Sequence, residues 1–202
     1  MLAALPLVAQ YDLAIVNGRV LDPESGLDAV RNIGVRDGKI AVLTTRGITA
    51  KKTIDAKGLA VAPGFIDLHS HGINNASNEY QVHDGVTTAL ELELGVSDVK
   101  RYIQERTGKA LLNYGTTASH PAARMMALKE LAAETAKWAS SDDLQRGVKE
   151  QGRELLLKDE EEYSKMTFLL EQGLKEGGLG LGVMPAYTPG STRSEIYRVY
   201  QM

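Results

Sequence analysis

The chain has 202 residues, of which 43% are hydrophobic and 24% are charged, and its formal net charge is −3. This composition is typical of a folded globular protein and excludes a collagen-like, coiled-coil or wholly disordered chain. There is no basic run to bind a nucleic-acid backbone, and no apolar stretch approaches the roughly 20 residues that span a bilayer. We therefore expect neither nucleic acid nor membrane as a partner. Because cysteine is absent, a disulfide framework, a thiolate metal site and a cysteine nucleophile are also excluded.

Residues 1–10 precede the periodic part of the sequence and are predicted to be a signal-peptide remnant or a disordered tail. The segment LAALPLVAQ is apolar and rich in small residues, like the second half of a secretory signal, but the positively charged start of such a signal is missing. A signal would place the protein in the periplasm or outside the cell. A tail would be compatible with the cytoplasm.

Residues 11–62 predict a small β-domain built from short hairpins. Asp12–Val16 is predicted as a strand, Asn17–Gly18 as a hairpin turn and Arg19–Leu21 as the returning strand. Asp37–Gly38 is a second hairpin signal further along. The few apolar positions of this segment predict a thin core, so we expect a β-sandwich segment that packs against a partner.

From residue 63 onward, predicted strands alternate with predicted helices. The strands are expected at 64–69, 85–94, 110–119 and 178–184, and the helical stretches at 97–107, 122–139, 142–175 and 191–202. Such alternation predicts parallel strands joined by crossover connections. The charged run Lys158–Glu162 is interpreted as a solvated helix face. The sequence stops within the last helical pattern without a C-terminal cap signal.

The strongest chemical signal is the block PGFIDLHSHG at residues 63–72. His69 and His71 stand two positions apart near a strand end, so their side chains point to the same face and can converge on one zinc ion. Asp67 shares their parity and is expected to orient a ligand from behind. Two unrelated polar residues in a loop are the alternative. It is disfavoured because the Pro-Gly start, the apolar strand and the trailing glycine occur together.

This block and the β-rich segment before it resemble the amidohydrolase superfamily of metal-dependent hydrolases. Further matches resemble its second and third barrel strands, at 85–88 (GVTT), 113–116 (NYGT) and 118–120 (ASH). Residues 180–184 (GLGVM) and 187–190 (YTPG) are similar to the fourth strand and following loop of the N-acyl-D-amino-acid deacylase branch. The resemblance implies an α/β fold. It would be the N-terminal part of a metal-dependent (β/α)8 TIM barrel, with about four βα units in residues 63–202.

The sequence departs from the deacylase pattern at the second strand. The resemblance implies a cysteine ligand near its end, whereas this chain has Glu91 and Glu93 on one face of the strand. A carboxylate is a competent zinc ligand and can bridge two ions. We therefore predict Glu93, which is nearer the C-terminal end, and Glu91 as ligands beside His69 and His71, for one or two zinc ions. The alternative is an ion pair between these glutamates and a lysine or arginine of the barrel.

Three residues after the third and fourth strands are predicted substrate contacts. His120 and Arg124 follow the third strand, where the guanidinium can clamp a substrate carboxylate. The alternative is a helix-capping histidine with a surface arginine. Tyr187 resembles a substrate-side tyrosine that polarises the scissile carbonyl, although an apolar lining role is equally compatible.

The resemblance implies hydrolysis of a linear amide C–N bond by metal-activated water, with an N-acyl amino acid or a dipeptide as substrate. It also implies two further histidine ligands and a general-base aspartate, all of them beyond residue 202. The roughly 140 residues after residue 62 suffice for about half of a barrel of about 250 residues. We therefore expect a truncated half barrel that is inactive alone and forms homo-oligomers through its exposed edges.

Two alternatives remain for the function. One is a non-catalytic half-barrel fragment that acts only through self-association. The other is a cyclic amidase, similar to dihydroorotase or hydantoinase, which shares the H-x-H motif. The absence of a lysine in the fourth strand counts against the second alternative.

Overall fold

The computed structural model describes residues 10–72, 74–136 and 152–202. The chain divides into two compact units, of which the first ends at Pro63 and the second begins at Gly64. The predicted domains at 11–62 and 63–202 stay a prediction. Residues 1–9 of the predicted tail, and residues 137–151 of the predicted helical stretches, lie outside the described residues. No helix within the described ranges is long and apolar enough to cross a membrane.

The first unit contains a five-stranded sheet. Its strands are β1 (Tyr11–Asp22), β2 (Leu27–Arg36), β3 (Lys39–Thr44), β4 (Ala50–Asp55) and β5 (Ala60–Val61). β1 is central, since it pairs antiparallel with β2 and parallel with both β4 and β5. The buried hydrophobic residues of this sheet are few, namely Tyr11, Ala14, Val20, Ile33 and Ala56. The predicted thin core is therefore confirmed.

The predicted hairpin turn at Asn17–Gly18 is wrong, because β1 runs through it without a break. The pairing of β1 with β2 shifts register between Ile15 and Gly18, which makes this dipeptide a bulge. Asn17 has a φ of 63°. Its amide N–H donates to Asn32 Oδ1 and its side-chain Nδ2 donates to Asp55 Oδ1, both at 2.9 Å. Hydrogen bonds to β2 on one side and β4 on the other thus stabilise the extra residue in the bulge.

The second hairpin signal is confirmed. Asp37 and Gly38 alone separate β2 from β3, and their φ angles are 52° and 71°. A two-residue turn with positive φ at both positions matches the right-handed twist of the flanking strands, which explains the Asp-Gly sequence.

The second unit is built on a four-stranded sheet whose neighbouring strands are parallel. Its strands are β6 (Phe65–Asp67), β7 (Val86–Val96), β8 (Asn113–Ser119) and β9 (Leu181–Gly182), and they lie side by side in chain order. Parallel neighbours need a crossover between them, and each of the three connections contains helix. The predicted partial βα barrel sheet is confirmed, and the carboxyl ends of all four strands meet at one edge.

The second unit also contains six α-helices among the described residues. They are α1 (Asn75–His83), α2 (Val99–Arg106), α3 (His120–Ala127), α4 (Ala132–Thr135), α5 (Glu160–Lys175) and α6 (Arg193–Tyr200), with 3₁₀ turns at Lys129–Leu131 and Pro185–Tyr187. Side chains of Asp98, Asp159 and Thr192 accept hydrogen bonds from the first amides of α2, α5 and α6. These caps explain where the three helices begin.

The core of the second unit lies where α5 packs on α3 and β8. An apolar stripe of α5 faces this core, with Met166 and Leu170 fully buried. The helix approaches the sheet closely at Gly173, where a Cβ atom would lie 2.6 Å from that of Ala118. The buried hydrophobic residues of this core include Val96, Val99, Tyr102, Ala118, Met125, Leu128, Met166, Leu170 and Val199.

The interpretation of Lys158–Glu162 as a solvated face is wrong at Glu162. This side chain is buried, and its carboxylate accepts hydrogen bonds from the amides of Lys129, at 2.9 Å, and Lys158, at 2.7 Å. A buried carboxylate is tolerated because it satisfies two backbone donors that would otherwise lack partners.

Truncating the centre of this core tests its importance for stability. We expect Met166→Ala to lower the free energy of unfolding by about 2–5 kcal/mol, because Met166 is 0% exposed and its removal leaves a cavity. Phe168→Ala is the matched control on the same helix, since Phe168 is 61% exposed and its loss should change stability by less than about 0.5 kcal/mol. Urea unfolding followed by circular dichroism measures both, and equal effects would contradict the packing described.

Candidate functional site

Two histidines and one glutamate converge at the carboxyl edge of the parallel sheet. His69 and His71 follow β6, and Glu93 comes from β7. The two histidine Nε2 atoms lie 3.0 Å apart. Glu93 Oε2 lies 2.5 Å from the Nε2 atom of His69 and 3.1 Å from that of His71. Three potential donor atoms are thus directed at one point.

This donor set fits a divalent metal ion. Two imidazoles and a carboxylate are typical zinc ligands, with bonds of about 2.0–2.2 Å. Ligands of one small cation must lie close to each other, as the three donor atoms here do. The side chains of His69, His71 and Glu93 are 63%, 53% and 33% exposed. The centre is therefore open on one side, where a substrate or further ligands can approach.

Hydrogen bonds of the backbone hold the H-x-H segment along β7. The amide of Ser70 donates to the carbonyl of Leu90 at 3.0 Å, and His69 forms an isolated bridge with Glu91. The chain stays extended here, so the residues on either side of Ser70 present their side chains to one face. The i, i+2 spacing thereby brings the two imidazoles together.

A bulge in β7 brings Glu93 toward the histidines. Glu91 is in register with Thr116 of β8, but the next paired residue of β7 is Val96, which is in register with Ala118. Five steps along β7 therefore match two along β8, and residues 92–95 loop out. Gly95 has a φ of +70°, and a Cβ atom there would lie 2.5 Å from the Thr117 carbonyl oxygen. Only glycine fits this turn.

Glu91 lies behind His71 and is not one of the three converging donors. It is 1% exposed, and its Oε2 atom lies 2.8 Å from His71 Nδ1. Its Oε1 atom accepts hydrogen bonds from the amides of Glu93, at 3.1 Å, and Leu94, at 2.9 Å. Metal ligation by Glu91 stays a prediction.

A second group of polar side chains supports the histidine segment from the side of α1. Asp67 Oδ1 accepts the amide N–H of His69 at 3.0 Å, so it orients the backbone and not the ring. Gln81 Nε2 donates to Asp67 Oδ2 at 3.1 Å and to the Ser70 hydroxyl at 2.9 Å. Asn78 Nδ2 donates to the Gly72 carbonyl at 3.0 Å. Sequence reasoning missed Gln81 and Asn78.

His120 and Arg124 are fully buried and pair with Glu195 of α6. Glu195 Oε1 lies 2.8 Å from both His120 Nε2 and Arg124 Nε. The remaining guanidinium nitrogens donate to the carbonyls of Gly152, at 2.8 Å, and Leu155, at 2.5 Å. This buried clamp joins three parts of the chain, namely α3, α6 and the segment that precedes α5. Substrate contact by His120 and Arg124 stays a prediction, and sequence reasoning did not identify Glu195 as their partner.

Tyr187 lies in the 3₁₀ turn after β9 and is 50% exposed. Arg153 holds this turn, since its Nε donates to the Tyr187 carbonyl at 2.7 Å and its guanidinium carbon lies 5.4 Å from the ring centroid. The turn follows the carboxyl end of β9, at the sheet edge that also carries His69 and His71. Its predicted role toward a substrate is untested.

The buried clamp should make stability depend on acidity. Burial raises the pKa of the Glu195 carboxyl, but the hydrogen bonds and charges of His120 and Arg124 outweigh this and lower that pKa below its ordinary 4.5. A lowered folded-state pKa contributes stability that is present above the unfolded pKa and is lost as pH falls through the folded value. We expect the free energy of unfolding to decrease in that acidic window. Urea unfolding at a series of pH values measures it.

Glu195→Gln should remove much of this acid dependence and cost about 3 kcal/mol near neutral pH, because Arg124 keeps a buried charge without its counter-ion. Glu79→Gln is the control, as the same charge change on an exposed residue of α1. If the stability of Glu195→Gln decreased at acidic pH as much as that of the parent chain, Glu195 would not be the group responsible.

Parts of this chain are similar to known proteins in sequence and in fold. The sequence model of the amidohydrolase family matches residues 52–133. The dihydroorotase of Streptococcus pneumoniae is 45% identical over 80 residues, which are 38% of this chain and 19% of the dihydroorotase.

Solved structures match over a longer stretch. The N-acyl-D-glutamate deacylase of Bordetella bronchiseptica, determined with zinc and a phosphonate inhibitor, has a TM-score of 0.68 at 21% identity, over 92% of this chain and 41% of the deacylase. A D-aminoacylase with a binuclear metal centre has a TM-score of 0.70 at 21% identity, over 94% of this chain and 42% of the other. The chain thus spans about two fifths of these deacylases, and at this identity the likeness concerns the fold.

The predicted resemblance is therefore confirmed. The matched residues 52–133 include the H-x-H segment and the β7 bulge, and the described ranges superpose on the N-terminal part of D-aminoacylase structures. Residues 52–133 match the sequence model of the amidohydrolase family, and the chain shares the fold of the D-aminoacylases over nearly its whole length.

Proposed function

We propose that this protein is a metal-dependent hydrolase of amide C–N bonds, and that His69, His71 and Glu93 hold the metal ion. The observation that supports this most directly is the convergence of their three donor atoms at an open edge of the sheet. When bound, a divalent ion at this point would polarise a substrate carbonyl and lower the pKa of a water molecule. His69, His71 and Glu93 determine where the ion would lie relative to the strand ends.

For the substrate, we propose a linear N-acyl-D-amino acid or a related dipeptide. The support is the extent of the structural likeness. It covers 92% of the chain for a deacylase that acts on N-acyl-D-glutamate. In this proposal the half-exposed Tyr187 faces the substrate. His120 and Arg124 lie within the buried clamp, from which they hold the rim in place.

A cyclic amide is the second candidate substrate. It is favoured by the 45% identity to the dihydroorotase of Streptococcus pneumoniae, which exceeds the identity to either deacylase but covers only 38% of this chain. Both candidates use the same proposed metal site, but the amide bond lies in a ring in one substrate and in an open chain in the other. An activity assay therefore distinguishes them directly.

Parallel assays with N-acetyl-D-glutamate, a D-amino acid dipeptide and dihydroorotate test the proposal. Because further ligands and a general base are predicted beyond residue 202, we expect amide hydrolysis only from a protein that also carries those residues. That hydrolysis should disappear with a chelator, return with zinc and favour the linear substrates. Turnover that survives chelation would contradict a metal-dependent mechanism. Preference for dihydroorotate would identify the cyclic amidase.

Zinc binding can be tested on the chain itself. Glu93→Gln and His69→Asn should each weaken zinc binding by more than the roughly 10- to 100-fold typical of losing an outer-shell partner, because each removes a donor atom. Competition with a chromophoric chelator measures the dissociation constant. His83→Asn is the control, as an exposed histidine outside the cluster. Equal losses in all three variants would indicate nonspecific histidine binding.

We also propose that the chain associates with a second copy through β6. This strand pairs only with β7 among the described residues, and Phe65, Ile66 and Leu68 are 68%, 63% and 56% exposed. An apolar edge strand of this kind favours pairing with another chain. Sedimentation velocity should detect dimers or larger species, and Ile66→Lys should shift them toward the monomer. A parent chain that is monomeric at all concentrations would contradict this.

A further inference from the structure

We propose that Glu91 is a positioning residue of the metal centre, which sets both the tautomer of His71 and the backbone shape that aims Glu93. This inference rests on the proposed metal site and goes beyond it, because it concerns a side chain that lies behind the donor atoms. A single buried carboxylate would then organise two of the three donors.

The surroundings of Glu91 support a buried anchor. The side chain is 1% exposed and carries hydrogen bonds on both oxygens. Its backbone is also tied, since the Thr117 hydroxyl donates to the Glu91 carbonyl at 3.3 Å. A buried carboxylate in an apolar strand is costly unless such partners compensate it. Here the partners come from His71 and from the bulge that follows in β7.

The contact with His71 determines which ring nitrogen faces the cluster. His71 Nδ1 lies 2.8 Å from Glu91 Oε2. Because a carboxylate oxygen can only accept a hydrogen bond, His71 Nδ1 must carry the proton. The Nε2 atom of the neutral ring then keeps its lone pair. That atom lies 3.0 Å from His69 Nε2, and Glu93 Oε2 lies 3.1 Å from it. Of the two carboxylate oxygens that face the ring, Glu91 Oε2 is the nearer, at 2.8 Å from Nδ1, so the proton is placed on Nδ1. Glu91 therefore presents His71 in the tautomer that can bind a metal ion through Nε2.

The other oxygen shapes the bulge. Glu91 Oε1 accepts the amides of Glu93 and Leu94, and the Gly95 amide lies at 3.5 Å. Three successive amide groups thus face one oxygen, which replaces the strand partners they lose where β7 leaves its register with β8. The same oxygen holds the backbone of Glu93, whose side chain reaches the histidines.

These two contacts make Glu91→Gln an informative change. The bulge amides are donors, so the carboxamide must turn its oxygen toward them, and its NH2 group then faces His71 Nδ1. His71 Nδ1 must then accept a hydrogen bond from this NH2 group, so the proton of the neutral ring moves to Nε2. The variant keeps the size of the side chain and its contact with the bulge, but it reverses the tautomer of His71 and blocks the metal-binding nitrogen.

Long-range proton–nitrogen NMR of the metal-free chain reads directly which ring nitrogen of His71 carries the proton. We expect His71 to be protonated at Nδ1 in the parent chain and at Nε2 in Glu91→Gln. Zinc binding by Glu91→Gln, measured by competition with a chromophoric chelator, should be about 10- to 100-fold weaker, as for other partners of metal-bound histidines.

Glu93→Gln is the matched control, since the same chemical change two residues away removes a donor atom. It should weaken zinc binding while His71 stays protonated at Nδ1. A purely structural role for Glu91 would alter folding without changing the tautomer.

The outcomes separate this inference from the proposed function. A parent chain with His71 protonated at Nε2 would overturn the role of Glu91, whether or not zinc binds. A parent chain that binds no zinc would overturn the proposed metal site, and the tautomer would still be measured. If Glu91→Gln fails to fold, the parent spectrum decides alone. Unchanged zinc affinity and an unchanged tautomer in a folded Glu91→Gln would also overturn the inference.

Discussion

The candidate site depends on one buried charge, the carboxylate of Glu91. A carboxylate without solvent needs hydrogen-bond donors on both oxygens, and Glu91 finds them in His71 and in successive amides of β7. Satisfying these bonds requires β7 to leave its register with β8. The resulting bulge brings Glu93 to the histidines. The position of Glu93 at the surface therefore follows from the hydrogen bonds that the buried Glu91 carboxylate needs.

Another buried carboxylate, that of Glu195, organises a different group of contacts in the same unit. Glu195 of α6 meets His120 and Arg124 of α3 through one oxygen, and Arg124 extends the contact to the segment before α5. Glu91 and Glu195 each join segments that come from different elements of the fold. The cluster of His69, His71 and Glu93, by contrast, is partly exposed, as a site must be if a substrate is to reach it. Rigid polar supports behind an accessible centre are what preorganised sites require.

Much of the fold could be predicted from the sequence, because it is encoded in local patterns. The alternation of strands and helices, the Asp37–Gly38 turn and the stripe containing Met166 and Leu170 each follow from spacing and turn chemistry. The helix α1 was not predicted, since its sequence NASNEYQVH has no apolar stripe. Its role is to hold the H-x-H segment through Asn78 and Gln81. The Asn17–Gly18 hairpin was predicted wrongly, because only partners on neighbouring strands turn this dipeptide into a bulge.

For the candidate site, the sequence by itself determined the pair His69 and His71, because alternation along an extended segment puts i and i+2 on one face. It also marked both Glu91 and Glu93 as chemically important. Only the tertiary structure decided between their positions, since strand parity puts both on the same side until a bulge intervenes. Likewise, a histidine and an arginine after a strand end look the same whether they meet a substrate or a buried carboxylate. The partner that distinguishes the two cases, Glu195, is 71 residues beyond Arg124, and local sequence carries no information about a contact at that distance.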